Sequence, residues 1–154
     1  MGDVNRNWTF CNWICKQFPK AKSVLVVADG KGELARKLAN KGFQVRVIEA
    51  APRFNGRKHP NITYQKGFFT PDTPFDEDLI VGMHPDEATI PIVLAAKKQA
   101  KPFAVVPCCI TAEYSKGIEG NHHAWIDRIK GFAPGCREGL LKISGRNLVL
   151  YDQN

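Results

Sequence analysis

Residues 24–35 read VLVVADGKGELA, and this stretch constrains the fold more than any other. Val24 to Val27 form a short, fully apolar run, which suits a strand buried on both faces of a parallel sheet. A turn with glycines at 30 and 32 follows at once. Glu33 then opens a helical pattern that keeps Leu34, Ala35 and Leu38 on one face, with Gly42 placed to cap its C-terminus. Strand, glycine turn and helix together aim backbone amides at a helix N-terminus, where a nucleotide-like ligand can be cradled.

Three ligand classes use such a turn. A nucleoside triphosphate site needs Gly-Lys followed by Ser or Thr, but Lys31 precedes Gly32, which excludes it. A dinucleotide such as NAD fits the letters: residues 30–35 are G-x-G-x-x-A, and Glu49 lies 19 residues beyond Gly30, near the spacing of a ribose-binding acid. Against it, Glu33 in the first helical turn would set a carboxylate beside a pyrophosphate. S-adenosylmethionine uses the same geometry, and its sulfonium tolerates nearby acids. Glu49 would then accept hydrogen bonds from both ribose hydroxyls.

The remaining pattern alternates strands with helices. Residues 8–18 (WTFCNWICKQF) predict an N-terminal helix within residues 1–19, with Trp8, Cys11, Cys15 and Phe18 on its inward face and Pro19 closing it. Strands are expected at 23–28, 44–49, 62–67, 78–83 and 103–106. Helices are expected at 33–40, at 87–100 with Ile92, Val93 and Ala96 inward, and at 122–132 with Asn121 as N-cap and Trp125 inward. Pro91 either kinks the second of these or marks its true start. LLKI and LVLY flank Ser144-Gly145-Arg146-Asn147 in a hairpin pattern. The chain thus reads as one α/β domain over 1–154, with a mostly parallel sheet and a C-terminal antiparallel hairpin.

At this point the stretch VLVVADGKGELARKLANKGFQVRVIEAAP resembles motif I and the following acidic motif of the Rossmann-like class I methyltransferases. By order of elements the resemblance spans roughly residues 20–154. DLIVGMHPDEATIPIVLAAKK and KPFAVVPCC are similar to a methyltransferase-like subgroup, some of it linked to tRNA modification, with His after strand four and Cys-Cys after strand five. The resemblance implies S-adenosylmethionine as cofactor, bound by Ala28, Asp29, Gly30, Gly32, Glu49, Ala50, Phe68 and His84. The chain departs from the superfamily in three places. Val26 replaces an acid, Ala28 replaces the first glycine of the turn, and Gly67-Phe68 follows strand three where an acid often meets the adenine. Phe68 or Phe69 is expected to stack on adenine instead.

Candidate catalytic residues are His84, Asp86 and Cys108. His84 stands at the C-terminal edge of a central strand, suited to acting as a base or orienting a substrate. The same string, His84-Pro85-Asp86-Glu87, also reads as a capping turn with Asp86 as N-cap. Cys108 would attack a pyrimidine if the chemistry were covalent. The other reading makes Cys108 and Cys109 small fillers at the sheet edge. His84, Cys108, Cys109, His122, His123 and Cys136 are zinc-ligand types, but their spacings form no paired motif, so no metal is expected.

The odd count of five cysteines fits a reducing, cytoplasmic setting better than a disulfide framework. The start carries neither a signal-peptide pattern nor a myristoylation motif, since residue 6 is Arg, and no apolar run suits a membrane span. A net charge of +7 implies an anionic partner. No acid lies between Glu49 and Asp72, whereas Arg53, Arg57, Lys58 and Lys66 do; Lys97, Lys98 and Lys101 form a second group. Either group also reads as a solvated face. The expectation is a methyltransferase acting on RNA, with tRNA within that class and a protein partner supplying recognition. Its rivals are an inactive methyltransferase-like module that binds RNA or protein, and an NAD-dependent oxidoreductase.

Overall fold

A computed structural model describes residues 3–54 and 58–153. The order of elements is α1 (Arg6–Gln17), β1 (Ser23–Val27), α2 (Glu33–Asn40), β2 (Gln44–Glu49), β3 (Ile62–Lys66), β4 (Leu79–Met83), α3 (Thr89–Lys98), β5 (Phe103–Val106), α4 (His122–Phe132), β6 (Arg137–Leu140) and β7 (Leu148–Asp152). Short 3-10 turns at Asp86–Ala88 and Ala112–Tyr114 precede α3 and α4. The seven strands form one sheet in the order β3-β2-β1-β4-β5-β7-β6. β1 to β5 run parallel, and β7 enters reversed between β5 and β6.

The alternation of β1 divides the core. Val24 and Val26 point to the layer of α1 and α2, where they meet Phe10, Ile14, Leu34 and Leu38. Leu25 and Val27 point to the layer of α3 and α4, against Ile92, Val93 and the fully buried Trp125. Both faces of the central strands are therefore apolar, which is why these strands read as continuous hydrophobic runs. Among the described residues no helix is long and apolar enough to cross a membrane.

Several expected features recur. α2 buries Leu34, Ala35 and Leu38, with Gly42 in the left-handed region just past its end. Asn121 caps α4 by accepting the Ala124 N–H at 3.1 Å.

Other boundaries differ, for identifiable reasons. The buried face of α1 is Asn7, Phe10, Cys11 and Ile14. Trp8 is half exposed, lying under the Lys41 ammonium, 5.1 Å from the ring centroid. α3 starts at Thr89, so Pro91 falls in its first turn, where no amide partner is lost. Asp86 is not an N-cap: its side chain makes no capping bond, and its carbonyl accepts the Thr89 hydroxyl at 2.8 Å. The hairpin strand is Arg137–Leu140 rather than residues 140–143. A turn in which the Cys136 N–H donates to Ala133 O starts the strand directly after α4. Residues 141–147 then close the connection through Leu141 N–H to Asn147 O and Asn147 Nδ2 to Leu141 O.

The basic groups are partly spent locally. Lys97 pairs with Asp152, Lys98 with Asp72, and Lys101 donates to the Asp76 carbonyl. Arg57 lies outside the described residues.

Gly82 in β4 underlies the turn that follows. A Cβ there would sit 2.8 Å from Ile92 Cδ1 and 2.9 Å from Pro85 Cβ and Cγ. Gly82→Ala should therefore lower stability by about 1–3 kcal/mol through overpacking. Urea unfolding midpoints read this, and an unchanged midpoint would contradict the packing described.

Candidate functional site

The sheet order reverses between β1 and β4: β2 and β3 extend one way, β5 the other. Open α/β sheets leave a crevice at such a point, beyond the carboxyl ends of the strands. Here the crevice has two contiguous hollows that share Ala28, Glu49 and Asp86 as walls. One, of about 640 Å³, is walled by Val27, Ile48, Phe69, Pro71, Pro91 and Tyr114 and is mainly apolar. The other, of about 630 Å³, is walled by Asn7, Asp29, Glu33, Arg53, His84 and Cys108 and is mainly polar.

The turn between β1 and α2 shapes the floor. Ala28, Gly30 and Gly32 all have φ in the left-handed region, at 61°, 60° and 78°. For Ala28 this carries the Cβ cost that a glycine would avoid. Asp29, between two of them, turns its carboxylate onto the start of α2, accepting the Leu34 N–H at 3.2 Å and the Ala35 N–H at 2.8 Å. Burial pushes its carboxyl up to about 7, against the lowering effect of those two amides. Glu33 is held from α1, where the Asn7 amide donates to its carboxylate at 3.1 Å.

Glu49 joins the ends of β1 and β2. One of its oxygens accepts the Gly30 N–H at 2.7 Å and the other the Ala51 N–H at 3.0 Å. An ionised carboxylate offers about four acceptor positions. Two face backbone here, which leaves about two for hydroxyl donors in the crevice.

The glycines meet different neighbours. Arg53 lies across Gly30: its N–H donates to Gly30 O at 2.9 Å, and its guanidinium nitrogen would stand 2.7 Å from a Cβ at that position. Gly32 faces the ring of Phe54 instead of the crevice, with a ring carbon 3.0 Å from where its Cβ would be. Ala50 lines the apolar hollow. Phe68 stands at its rim, 84% exposed, while Phe69 is buried in the wall.

On the opposite wall, the His84 N–H continues the β4–β5 ladder to Val106 O at 3.0 Å. Its ring Nε2 lies 3.1 Å from the Arg146 carbonyl. A carbonyl only accepts, so this contact places the proton on Nε2 and the lone pair on Nδ1. Burial holds the imidazole below its usual pKa, so it is neutral at pH 7. Asp86 accepts the Cys108 thiol at 3.1 Å, and Cys109 Sγ lies 3.3 Å from Cys108 Sγ. Burial and the Asp86 carboxylate push the Cys108 thiol well above its usual range, which opposes the thiolate that covalent attack requires. Cys109 is exposed, so the pair is not a buried filler either. His122 and His123 lie away from this crevice, in a separate hollow beside Arg146 and Glu138.

Tyr114 on the apolar wall and Asn7 behind Glu33 carried no signal in the sequence, and Pro91 carried only that of a helix start or kink. Arg53 did carry one, but as one of several cations in a loop.

No family model matches the sequence, and no curated protein matches it. Solved structures do. The fold is shared with solved methyltransferases. Magnesium protoporphyrin IX methyltransferase from Synechocystis PCC 6803, with SAH bound, superposes with a TM-score of 0.63 at 17% identity; the match covers 94% of this chain and 80% of that one. Human N-acetylserotonin methyltransferase, in complex with SAM, gives 0.63 at 12% identity over 98% of this chain and 52% of that one. An O-methyltransferase family protein from Burkholderia thailandensis gives 0.65 at 13% identity over 96% and 56%. The chain thus spans little more than half the length of the last two.

Asp29 makes stability depend on pH in a definite direction. Its folded value of about 7 lies above the ordinary 3.8, so between these the folded chain keeps a proton that the unfolded chain has released. Stability contributed at this site should fall as pH rises from about 4 to about 7, then level off. Urea midpoints of the parent and Asp29→Asn across this range should diverge with that slope, and parallel curves would contradict it.

Proposed function

We propose that this chain binds S-adenosylmethionine in the two-part crevice and transfers its methyl group. The observation that carries the reading is the Glu49 carboxylate, fixed by two amides between the hollows with acceptor positions to spare. The flat, uncharged base suits the apolar hollow, against Ile48 and Phe69, with Phe68 at the rim. Ribose hydroxyls suit Glu49. In the polar hollow, the Glu33 carboxylate suits an ammonium, and the Arg53 guanidinium suits a carboxylate. The fold likeness supports the same reading, since two of those neighbours are methyltransferases with SAM or SAH bound.

The cofactor supplies an electrophilic methyl on a sulfonium. The chain's own part is positioning, exclusion of water, and removal of a proton from an N–H or O–H nucleophile. His84 suits that last task, being neutral at pH 7 with its lone pair on Nδ1. Non-covalent transfer fits better than attack by Cys108, because the thiol is held protonated. For the acceptor we propose RNA. The net charge of +7 supports an anionic substrate, and Arg6, Lys31 and Arg53 gather at the polar end of the crevice.

Calorimetric titration with S-adenosylhomocysteine should give saturable one-to-one binding that Glu49→Ala weakens by about 2 kcal/mol or more, the scale of charged hydrogen bonds. Incubation with labelled S-adenosylmethionine and total RNA should label the RNA, and His84→Ala should slow this without abolishing cofactor binding. Absence of binding, or binding indifferent to Glu49, would end the cofactor assignment. Binding without label in RNA would end the RNA assignment alone.

A further inference from the structure

We propose that Asp86, Cys108 and Cys109 form a binding site for a thiophilic divalent cation of the zinc class. β4 and β5 pair in parallel with Met83 opposite Val106, so the segments leaving them, 84–86 and 107–109, emerge side by side. Left-handed backbone at His84 (φ 50°) and Asp86 (φ 51°) turns the first of these segments toward the second. One carboxylate oxygen and two sulfurs then converge, all within 4.8 Å of one another.

The distances suit a tetrahedral ion. With zinc–sulfur bonds of ~2.3 Å and a zinc–oxygen bond of ~2.0 Å, two thiolates stand ~3.7 Å apart and a thiolate and carboxylate ~3.5 Å apart. Here Cys108 Sγ lies 3.3 Å from Cys109 Sγ and 3.1 Å from Asp86 Oδ1. For these two pairs an expansion of a few tenths of an ångström reaches the metal-bound spacing, and the third pair lies within 4.8 Å. Without it, the single Cys108 proton faces both neighbours and can satisfy one. Among the described residues, no lysine or arginine forms an ion pair with Asp86, so no side-chain cation fills this role.

The donor set selects the ion. Two sulfurs favour zinc-like metals, and hard cations such as calcium or magnesium require more oxygens than this cluster offers. Binding releases the two thiol protons to solvent. Two thiolates and one carboxylate then face two positive charges, and one tetrahedral position stays open. Asp86 borders both hollows and Cys108 the polar one, so the cluster adjoins the crevice. Of the six zinc-type residues noted in the sequence, only Cys108 and Cys109 take part. Among the described residues no other group of three converges in this way.

Cobalt(II) titration of the reduced, full-length chain tests this without cofactor, so its outcome is separate from that of methyl transfer. One equivalent should produce a thiolate-to-cobalt charge-transfer band that one equivalent of zinc abolishes. Cys108→Ser and Cys109→Ser should each weaken the band, and the double serine variant should lack it. Asp86→Asn should weaken binding by at least about tenfold, the loss that even an outer partner of a metal ligand carries. In the parent chain, zinc should shield Cys108 and Cys109 from alkylation while Cys15 and Cys136 stay reactive, a readout that needs no variant. No band in the reduced parent, no shielding, or a band surviving in the double serine variant would overturn the proposal.

Discussion

The Glu49 carboxylate is the tie on which the site depends. Its bond to the Gly30 amide ties the end of β2 to the turn after β1, and its bond to the Ala51 amide, two residues on, fixes the carboxylate's own orientation. The Gly30 amide belongs to a turn of alternating left-handed residues, and its bond to Glu49 joins those of Ala28 N–H to Ile48 O, Arg53 N–H to Gly30 O and the Asp29 carboxylate in holding that turn. The same carboxylate is a wall of both hollows. One side chain thus helps to hold the turn and supplies the polar seam between an apolar chamber and a charged one.

The division between chambers follows from the strands below. Val27 and Ile48 belong to the core layer of α3 and α4, and they rise into the apolar hollow. The polar hollow sits over the turn into α2, where exposed helix amides attract acids. Asp29 occupies that position, and the burial that accompanies it keeps its carboxyl near neutrality. α1 completes the wall through Asn7, a buried amide spent on Glu33. The N-terminal helix therefore does more than cover the sheet; it sets the orientation of an acid in the crevice.

Much of this was legible in the residues. Apolar runs such as Val24–Val27 and Leu79–Met83 read as buried strands from their shortness and β-branched content, and the glycine turn located the crevice and Glu49 together. What escaped depends on contacts between distant segments. Trp8 looks like a core residue, yet its angular position on α1 faces Lys41 and solvent, while polar Asn7 turns inward. Asp86 has the sequence context of a cap, but its left-handed backbone sends the carboxylate to Cys108, 22 residues away. Arg53 read as one cation among several in a loop, and only the fold lays it across Gly30. The hairpin strand was displaced because LLKI is the more apolar stretch, whereas an edge strand with an exposed face takes the more polar REGL.

A crystal structure of the chain grown with S-adenosylhomocysteine tests the central claim most directly. The account predicts adenine between Ile48 and Phe69, and both ribose hydroxyls on Glu49, whose bonds to Gly30 and Ala51 persist. A ligand bound elsewhere, or one whose sugar leaves Glu49 untouched, would contradict it.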